Sequence, residues 1–404
     1  MTQTSDDQRA IALTIAIFAI AGFASTFSSR IADPLVPTIA SDLGASVKTI
    51  ALLATAFALP YALIQPILGP IGDAVGKLAV MRVCVALLAL ALLASAFAPD
   101  ETTLFVLRVI AGAAAGGVIP LALAAIGDRV GMEGRQVAIS RFLVAIILGQ
   151  LAGSSLSGAL ALWIGWRGVF VLAAILAAGA LAAVLVFARR ATEAKGTFDL
   201  GIAKARYRAL LAMPRARALF AFVFVEAAAL FGLFPFAAVL LERRDAGGSA
   251  EAGLAIAGFA IGGLLYSALV RTLLRFLGMP RMVGAGGILA ALAILALVVV
   301  ADWRLMAAAF LAMGLGFYMM HNSFQTAVTE LAAEARGSAT ALHACFFFLG
   351  GALGPALIGA GFALIGEGAT LALAAAAIAC LGPVAGMILV RTDPARRADT
   401  ARSR

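Results

Sequence analysis

Twelve apolar runs, at residues 11–40, 48–69, 78–98, 102–126, 136–162, 167–188, 217–241, 252–274, 281–300, 304–328, 337–364 and 369–390, take up most of this 404-residue chain. A helix needs roughly 20 residues to cross bilayer hydrocarbon, and every run reaches about that length. Lipid offers the backbone no hydrogen bonds, so each run must satisfy its own N–H and C=O groups as a helix. The expectation is an all-α membrane protein with twelve transmembrane helices. A soluble domain is excluded by composition: 63% of the residues are hydrophobic and 13% charged, too few charges to solvate a surface. Nor does the net charge of +9 point to nucleic acid. The basic residues stand in the connections between runs, not on one soluble face.

Those connections set the orientation. One set carries Arg9, Lys77, Arg82, Arg129, Arg135, the 189–217 connection, Arg271, Arg275, Arg281, Arg336 and the tail from Arg391. The opposite set carries Lys48, Arg167, Arg243, Arg244 and Arg304. The excess of Lys and Arg marks the cytoplasmic side, so both termini are expected there, in a bacterial-type inner membrane. Met1–Ala10 makes a poor signal-peptide start, and the first run is expected to be a retained helix. Cys84, Cys345 and Cys380 all fall inside apolar runs without a spaced pair, which predicts buried small hydrophobes and no disulfide framework.

The chain divides as 1–188, a six-helix half; 189–216, a basic cytoplasmic linker; 217–390, a second six-helix half; and 391–404, a basic tail. Within the linker, Lys204–Leu211 has the makings of a short basic helix at an anionic membrane surface. The halves read as repeats. Pro34 and Pro235, Glu133 and Glu334, Arg135 and Arg336, Gly149 and Gly350, Gly153 and Gly354, and Gly158 and Gly359 each stand 201 residues apart. Duplicated halves of this kind form transporters with a midplane site between them.

Between the second and third runs lies Gly69-Pro-Ile-Gly72-Asp73-Ala-Val-Gly76-Lys77-Leu-Ala-Val-Met-Arg82, a charged, Gly-rich turn. It does not follow a strand, so it is no phosphate-binding loop. It reads as a hinge or latch. It resembles the loop 2–3 signature of the major facilitator superfamily through Gly69, Asp73, Gly76 and Lys77, with Ala74 and Leu78 where that family usually has basic residues. Leu107-Arg108-Val-Ile-Ala-Gly112 is similar to the helix-4 motif of the drug/proton antiporter branch. Gly149-Gln-Leu-Ala-Gly153-Ser154-Ser-Leu-Ser157-Gly158 is similar to its helix-5 motif, with Ser154 in place of the Pro and Ser157 in place of a Gly. Asp33-Pro34-Leu-Val-Pro37 and the residues to Gly44 resemble the end of its first helix. The resemblance covers essentially the whole chain and implies a twelve-helix transporter.

Charge inside a bilayer is expensive and marks pathways. The third, sixth, ninth and twelfth runs hold almost no polar residues beyond Cys84, Ser95 and Cys380, so they are expected to face lipid while the other eight line a wet cavity. Candidates for proton coupling are Glu226, Asp33, His321 and Arg108. Glu226 is the sharpest. It lies well inside its run with no basic residue within a turn, and a carboxyl in such a place can take up and release a proton as its surroundings change. Arg30 and Asp33, three apart, share a helix face and can pair. Cavity candidates are Arg30, Tyr61, Gln65, Gln150, Tyr266, Asn322, Gln325, His343 and Arg141, the last near enough to its helix end to snorkel. Phe231, Phe234, Phe236, Phe317 and Phe346–Phe348 are candidates for a greasy wall. Glu226, His321 and His343 offer three metal-capable groups but no i,i+4 ligand pair, so no metal and no cofactor is expected.

The function that fits is a secondary transporter working by alternating access, exporting a small amphipathic compound with the proton as coupling ion. Its only other partner is the bilayer, and it is expected to be a monomer. A carrier of a polar metabolite, such as a sugar or an organic anion, is the first rival, given the buried arginines. An integral-membrane enzyme using Glu226 and a His as acid and base lacks any cofactor motif or nucleophile elbow.

Overall fold

A computed structural model describes residues 5–129, 132–188, 200–299, 302–329, 331 and 336–391. Every regular element among them is a helix. Among the described residues ten helices are long and apolar enough to cross a membrane. Two of these, Val144–Val186 and Ser249–Val299, have 43 and 51 residues, about twice what one crossing needs. Each breaks once, at Gly165 (φ 67°) and Gly278 (φ 69°), and the twelve-helix reading rests on those two breaks. A left-handed residue ends a helix, and glycine adopts that conformation without a Cβ clash.

The breaks are themselves repeated. Left-handed or positive φ occurs at Gly44 and Asp245, at Gly76 and Gly278, and at Gly165 and Gly366. The partners in these pairs stand 201, 202 and 201 residues apart. The helix crossings repeat in the same way. A Cβ placed on Gly149 would strike the Phe23 carbonyl, and one on Gly153 the Phe27 carbonyl; 201 residues on, Gly350 and Gly354 meet the carbonyls of Phe224 and Ala228. Gly112 abuts the Phe57 carbonyl as Gly314 abuts that of Phe259. In lipid, helices associate through close packing rather than hydrophobic burial, so small residues at crossings hold the fold together.

The first run is corrected by the structure. It is a helix to Arg30, a 3-10 turn at Asp33–Leu35 and a second helix at Val36–Leu43. Pro34 and Pro37 supply no backbone N–H and divide it. Pro235 does the same after Phe231, with a 3-10 turn at Phe234–Phe236 and a helix at Ala237–Glu242. The expectation of three buried cysteines also fails: Cys84 is buried, Cys345 half-buried and Cys380 exposed. A thiol costs little against lipid, so an apolar run does not reveal which of its faces is covered.

The chain folds into two compact units. One is Met1–Ala203 with Phe234–Arg243 and Gly247–Gly253; the other is Lys204–Leu233 with Arg244–Ala246 and Leu254–Arg404. In the first, Asp42 accepts from Trp166 Nε1 at 3.1 Å and pairs with Arg167. In the second, Arg244 pairs with Glu367 and donates to the Leu297 carbonyl at 2.7 Å. Glu367 stands 201 residues after Trp166, so the same tie recurs with its charges reversed. The linker holds a helix, Leu200–Ala212, with Lys204 and Arg208 exposed and Leu210 buried.

Candidate functional site

Two clusters of polar groups lie inside the apolar body, one in each unit. The second unit holds the Glu226 cluster. Glu226 stands on the Pro214–Phe231 helix, between the crossings that Gly350 and Gly354 make with the carbonyls of Phe224 and Ala228. Its side chain is wholly buried, and its Oε2 lies 3.1 Å from His321 Nδ1. His321 comes from the Trp303–Thr329 helix and its ring lies on that of Phe317, with centroids 4.8 Å apart and 22° between planes. The His343 ring, from the Arg336–Leu364 helix, is 5.1 Å from that of His321. Phe347 reaches His321 at 4.9 Å and Phe231 at 5.4 Å. Phe231 also meets Phe317 at 5.3 Å and Phe259 at 5.4 Å.

Satisfaction is incomplete here. Glu226 Oε1 and both ring nitrogens of His343 are buried without a hydrogen bond among the described residues, as are Asp33 Oδ1 and Arg108 Nε in the other unit. A buried polar group in that state costs about 1–3 kcal/mol, so both clusters are candidate sites, and the Glu226 cluster is the one whose orphaned atoms include a carboxyl oxygen beside a His pair. The Glu226–His321 pair can hold one exchangeable proton, as carboxylate with imidazolium or carboxylic acid with imidazole, and without it is carboxylate with neutral imidazole. Among the described residues no group of three His, Cys, Asp or Glu could hold a metal ion.

In the first unit, Arg108 is the anchor. It stands on the Glu101–Gly116 helix, with no exposed surface. Its Nη1 donates to the Ser28 carbonyl at 2.8 Å and its Nη2 to the Ser29 carbonyl at 3.3 Å. The guanidinium lies 4.3 Å from the Phe57 ring centre, within range of a cation–π contact. These are carbonyls from the last turn of the first helix, which ends at Arg30 and leaves them without intrahelical partners. Arg30 pairs with Asp33 at 3.4 Å and sits 5.3 Å from the Phe234 ring centre. Asp33 is 1% exposed and feels Arg108 as well as Arg30. Two guanidinium groups therefore surround one carboxyl.

The other candidates are placed less closely. Tyr266 is buried, and the Tyr266 and Tyr318 rings are 6.3 Å apart; Asn322 is half-buried. Tyr61 is buried against Phe57, with centroids 6.0 Å apart. Gln65 and Gln150 are half-buried, and Gln325 is exposed. At the loop, Gly76 closes the Leu53–Val75 helix with φ 114°, and Lys77 opens the next helix. Gly69 lies within the Leu53–Val75 helix, and the side chains of Asp73 and Arg141 lie outside what is described. Sequence reasoning missed Phe259 and the Ser28 and Ser29 carbonyls. Aromatic residues are too common here to single one out, and backbone acceptors leave no trace in a sequence.

A family model described as Major Facilitator Superfamily matches residues 18–355 and again 219–404. The uncharacterized MFS-type transporter YwfA of Bacillus subtilis (strain 168) is 25% identical over 381 residues, 92% of this chain and 90% of that relative. The multidrug export protein EmrB of Haemophilus influenzae is 31% identical over 160 residues, 40% of this chain and 31% of EmrB. The probable multidrug resistance protein EmrY of Escherichia coli (strain K12) is 26% identical over a stretch of the same length, again 31% of the relative. The chain thus matches less than a third of the length of these exporters. Among solved structures, the nucleoside transporter NupG superposes with a TM-score of 0.77 at 16% identity, covering 93% of this chain and 99% of NupG. A bacterial homolog to the human lysosomal transporter Spinster, inward-facing and unoccupied, gives 0.69 at 18%, covering 96% of each. At such identities the likeness is one of fold.

Proposed function

The chain belongs to the Major Facilitator Superfamily and is a multi-pass membrane transporter, and from that premise we propose that it exports a small amphipathic compound in exchange for protons, with the Glu226–His321 pair as the coupling site. The observation that carries this reading is the pair itself: a wholly buried carboxyl 3.1 Å from an imidazole, ringed by aromatic side chains. A change of surroundings during alternating access shifts the affinity of such a pair for its exchangeable proton, between the protonated pair and carboxylate with neutral imidazole. Binding of substrate and of proton then biases different arrangements of the molecule. Partial similarity to proteins named as multidrug exporters supports export.

The Arg30–Asp33–Arg108 cluster supports a structural role. Its guanidinium groups meet backbone carbonyls, a carboxyl and aromatic faces, with Arg108 Nε left without a hydrogen bond among the described residues, and the Asp33 carboxyl beside them disfavours an organic anion. We place the protein in a bacterial inner membrane as a monomer, with both termini cytoplasmic as the Lys and Arg distribution indicates. The Asp73 loop serves as the cytoplasmic latch.

The test is flux in proteoliposomes under an imposed pH gradient. Glu226→Gln fixes the neutral side chain and is expected to abolish uphill, gradient-driven accumulation. A variant that still concentrates substrate as the parent does would make Glu226 a structural residue and end the mechanism.

A further inference from the structure

The Glu226 cluster has a chemistry specific enough to name its ligand. Its unsatisfied buried atoms are Glu226 Oε1 and the two ring nitrogens of His343. A neutral imidazole offers one donor and one acceptor, so the site presents two acceptors, one of them on an acidic group, and a single donor. Its walls are ring faces and edges, from Phe231, Phe317, Phe347 and Phe259. Aromatic faces attract cations and stack on aromatic bodies. The His321 side chain is 15% exposed, whereas that of Glu226 has no exposed surface. The half-buried Asn322 and the exposed Gln325 continue a polar path along the same helix. A sugar would need many more donors and acceptors than this. An anion would be set beside a carboxyl, and the buried arginines that could have drawn it belong to the other unit, where the Asp33 carboxyl already faces them.

We infer that the molecule bound here is a protonated amine on an aromatic body, its N–H groups shared between Glu226 Oε1 and a ring nitrogen of His343. This rests on the transporter reading above and adds the sign of the substrate's charge. The ammonium supplies the donors that both orphaned acceptors lack, and it supplies the counter-charge that a buried carboxylate requires. The aromatic body then lies against Phe317 and Phe347.

Equilibrium binding to the purified full chain in nanodiscs tests this with three probes of nearly one shape: biphenylmethylammonium, biphenylmethanol and biphenylcarboxylate. The ammonium is expected to bind about tenfold tighter than the alcohol, the scale of a charge-assisted hydrogen bond, with the carboxylate weakest. Glu226→Gln should erase the ammonium's advantage, and Glu226→Asp, which keeps the charge, should retain most of it. His343→Phe, which keeps the ring and loses both nitrogens, should weaken the ammonium about threefold and the alcohol less. A carboxylate bound as well as the ammonium, an ammonium preference that survives Glu226→Gln, or no binding of any probe overturns the inference. Coupling is read separately, as pH-gradient flux. Ammonium preference without coupled flux removes the proton mechanism and leaves the inference standing. Coupled flux with a carboxylate-preferring site does the reverse.

Discussion

The two polar clusters occupy comparable places in a repeated backbone and have opposite characters. The glycine crossings fix the correspondence, since Gly149 and Gly153 meet the Phe23 and Phe27 carbonyls as Gly350 and Gly354 meet those of Phe224 and Ala228. Between these crossings Ser25 corresponds to Glu226. Ser25 gives its hydroxyl to the Ala115 carbonyl at 3.1 Å, whereas Glu226 keeps one oxygen unsatisfied. Conversely, Arg30 and Asp33 correspond to Phe231 and Phe234. In one unit two guanidinium groups meet one carboxyl and hold a helix end; in the other a single acid pairs with an imidazole among rings, with no arginine beside it among the described residues. Close approach to a backbone carbonyl leaves room only for glycine, so the crossings repeat. Side chains between the crossings are under no such constraint, and there the two halves have diverged in chemistry.

The largest effect is expected where the comparison predicts identity. Gly153→Leu and Gly354→Leu each drive a side chain into a backbone carbonyl, and both should abolish folded, monodisperse protein in fluorescence-detected size-exclusion chromatography. If one is tolerated and the other is not, the crossings are not equivalent. Next comes the contrast between Glu226→Gln and Ser25→Ala. The first should remove gradient-driven accumulation completely. The second should leave coupling intact and cost about 1 kcal/mol of stability, one neutral hydrogen bond, visible as a lower unfolding temperature. Loss of coupling in Ser25→Ala would put function in both units.

Third, Arg108→Met should destabilise by about 3–5 kcal/mol, because it strips a buried counter-charge from Asp33 as well as two hydrogen bonds to carbonyls. Asp33→Asn should be milder, and combining the two should cost less than their sum, since both act on one network. Additive losses in thermal unfolding would show that Arg108 and Asp33 do not work together. The smallest effect concerns the outer ties. Reversing Asp42 and Arg167 together should change stability by well under 1 kcal/mol, as both are more than 40% exposed. The more enclosed Arg244–Glu367 tie should lose more when Glu367→Gln is made, and the ordering of the two is what unfolding curves would check.

Hydropathy alone located the spans, and the 201-residue register picked out glycines that the structure places at helix crossings. Glu226, His321, Arg108 and Asp33 stood out because a polar residue in hydrocarbon has few reasons to be there. Their partners were less legible. The His321–Glu226 pair bridges 95 residues, and nothing in local spacing encodes it. The Arg108 acceptors are carbonyls of a helix's last turn, and backbone acceptors leave no trace in a sequence. Lipid-facing and buried positions were confused at Cys380, because both are apolar when the solvent is itself apolar.

The sequence by itself determined that this chain lies in a membrane as helices, that its halves repeat, and which residues bring polarity into the hydrocarbon. Those conclusions follow from the bilayer acting as solvent, residue by residue. Only the tertiary structure decided that Glu226 meets His321 beneath a wall of rings while Arg108 holds the end of the first helix. Side-chain pairing between helices depends on their crossing and rotation, and these are set where glycines meet carbonyls far away along the chain.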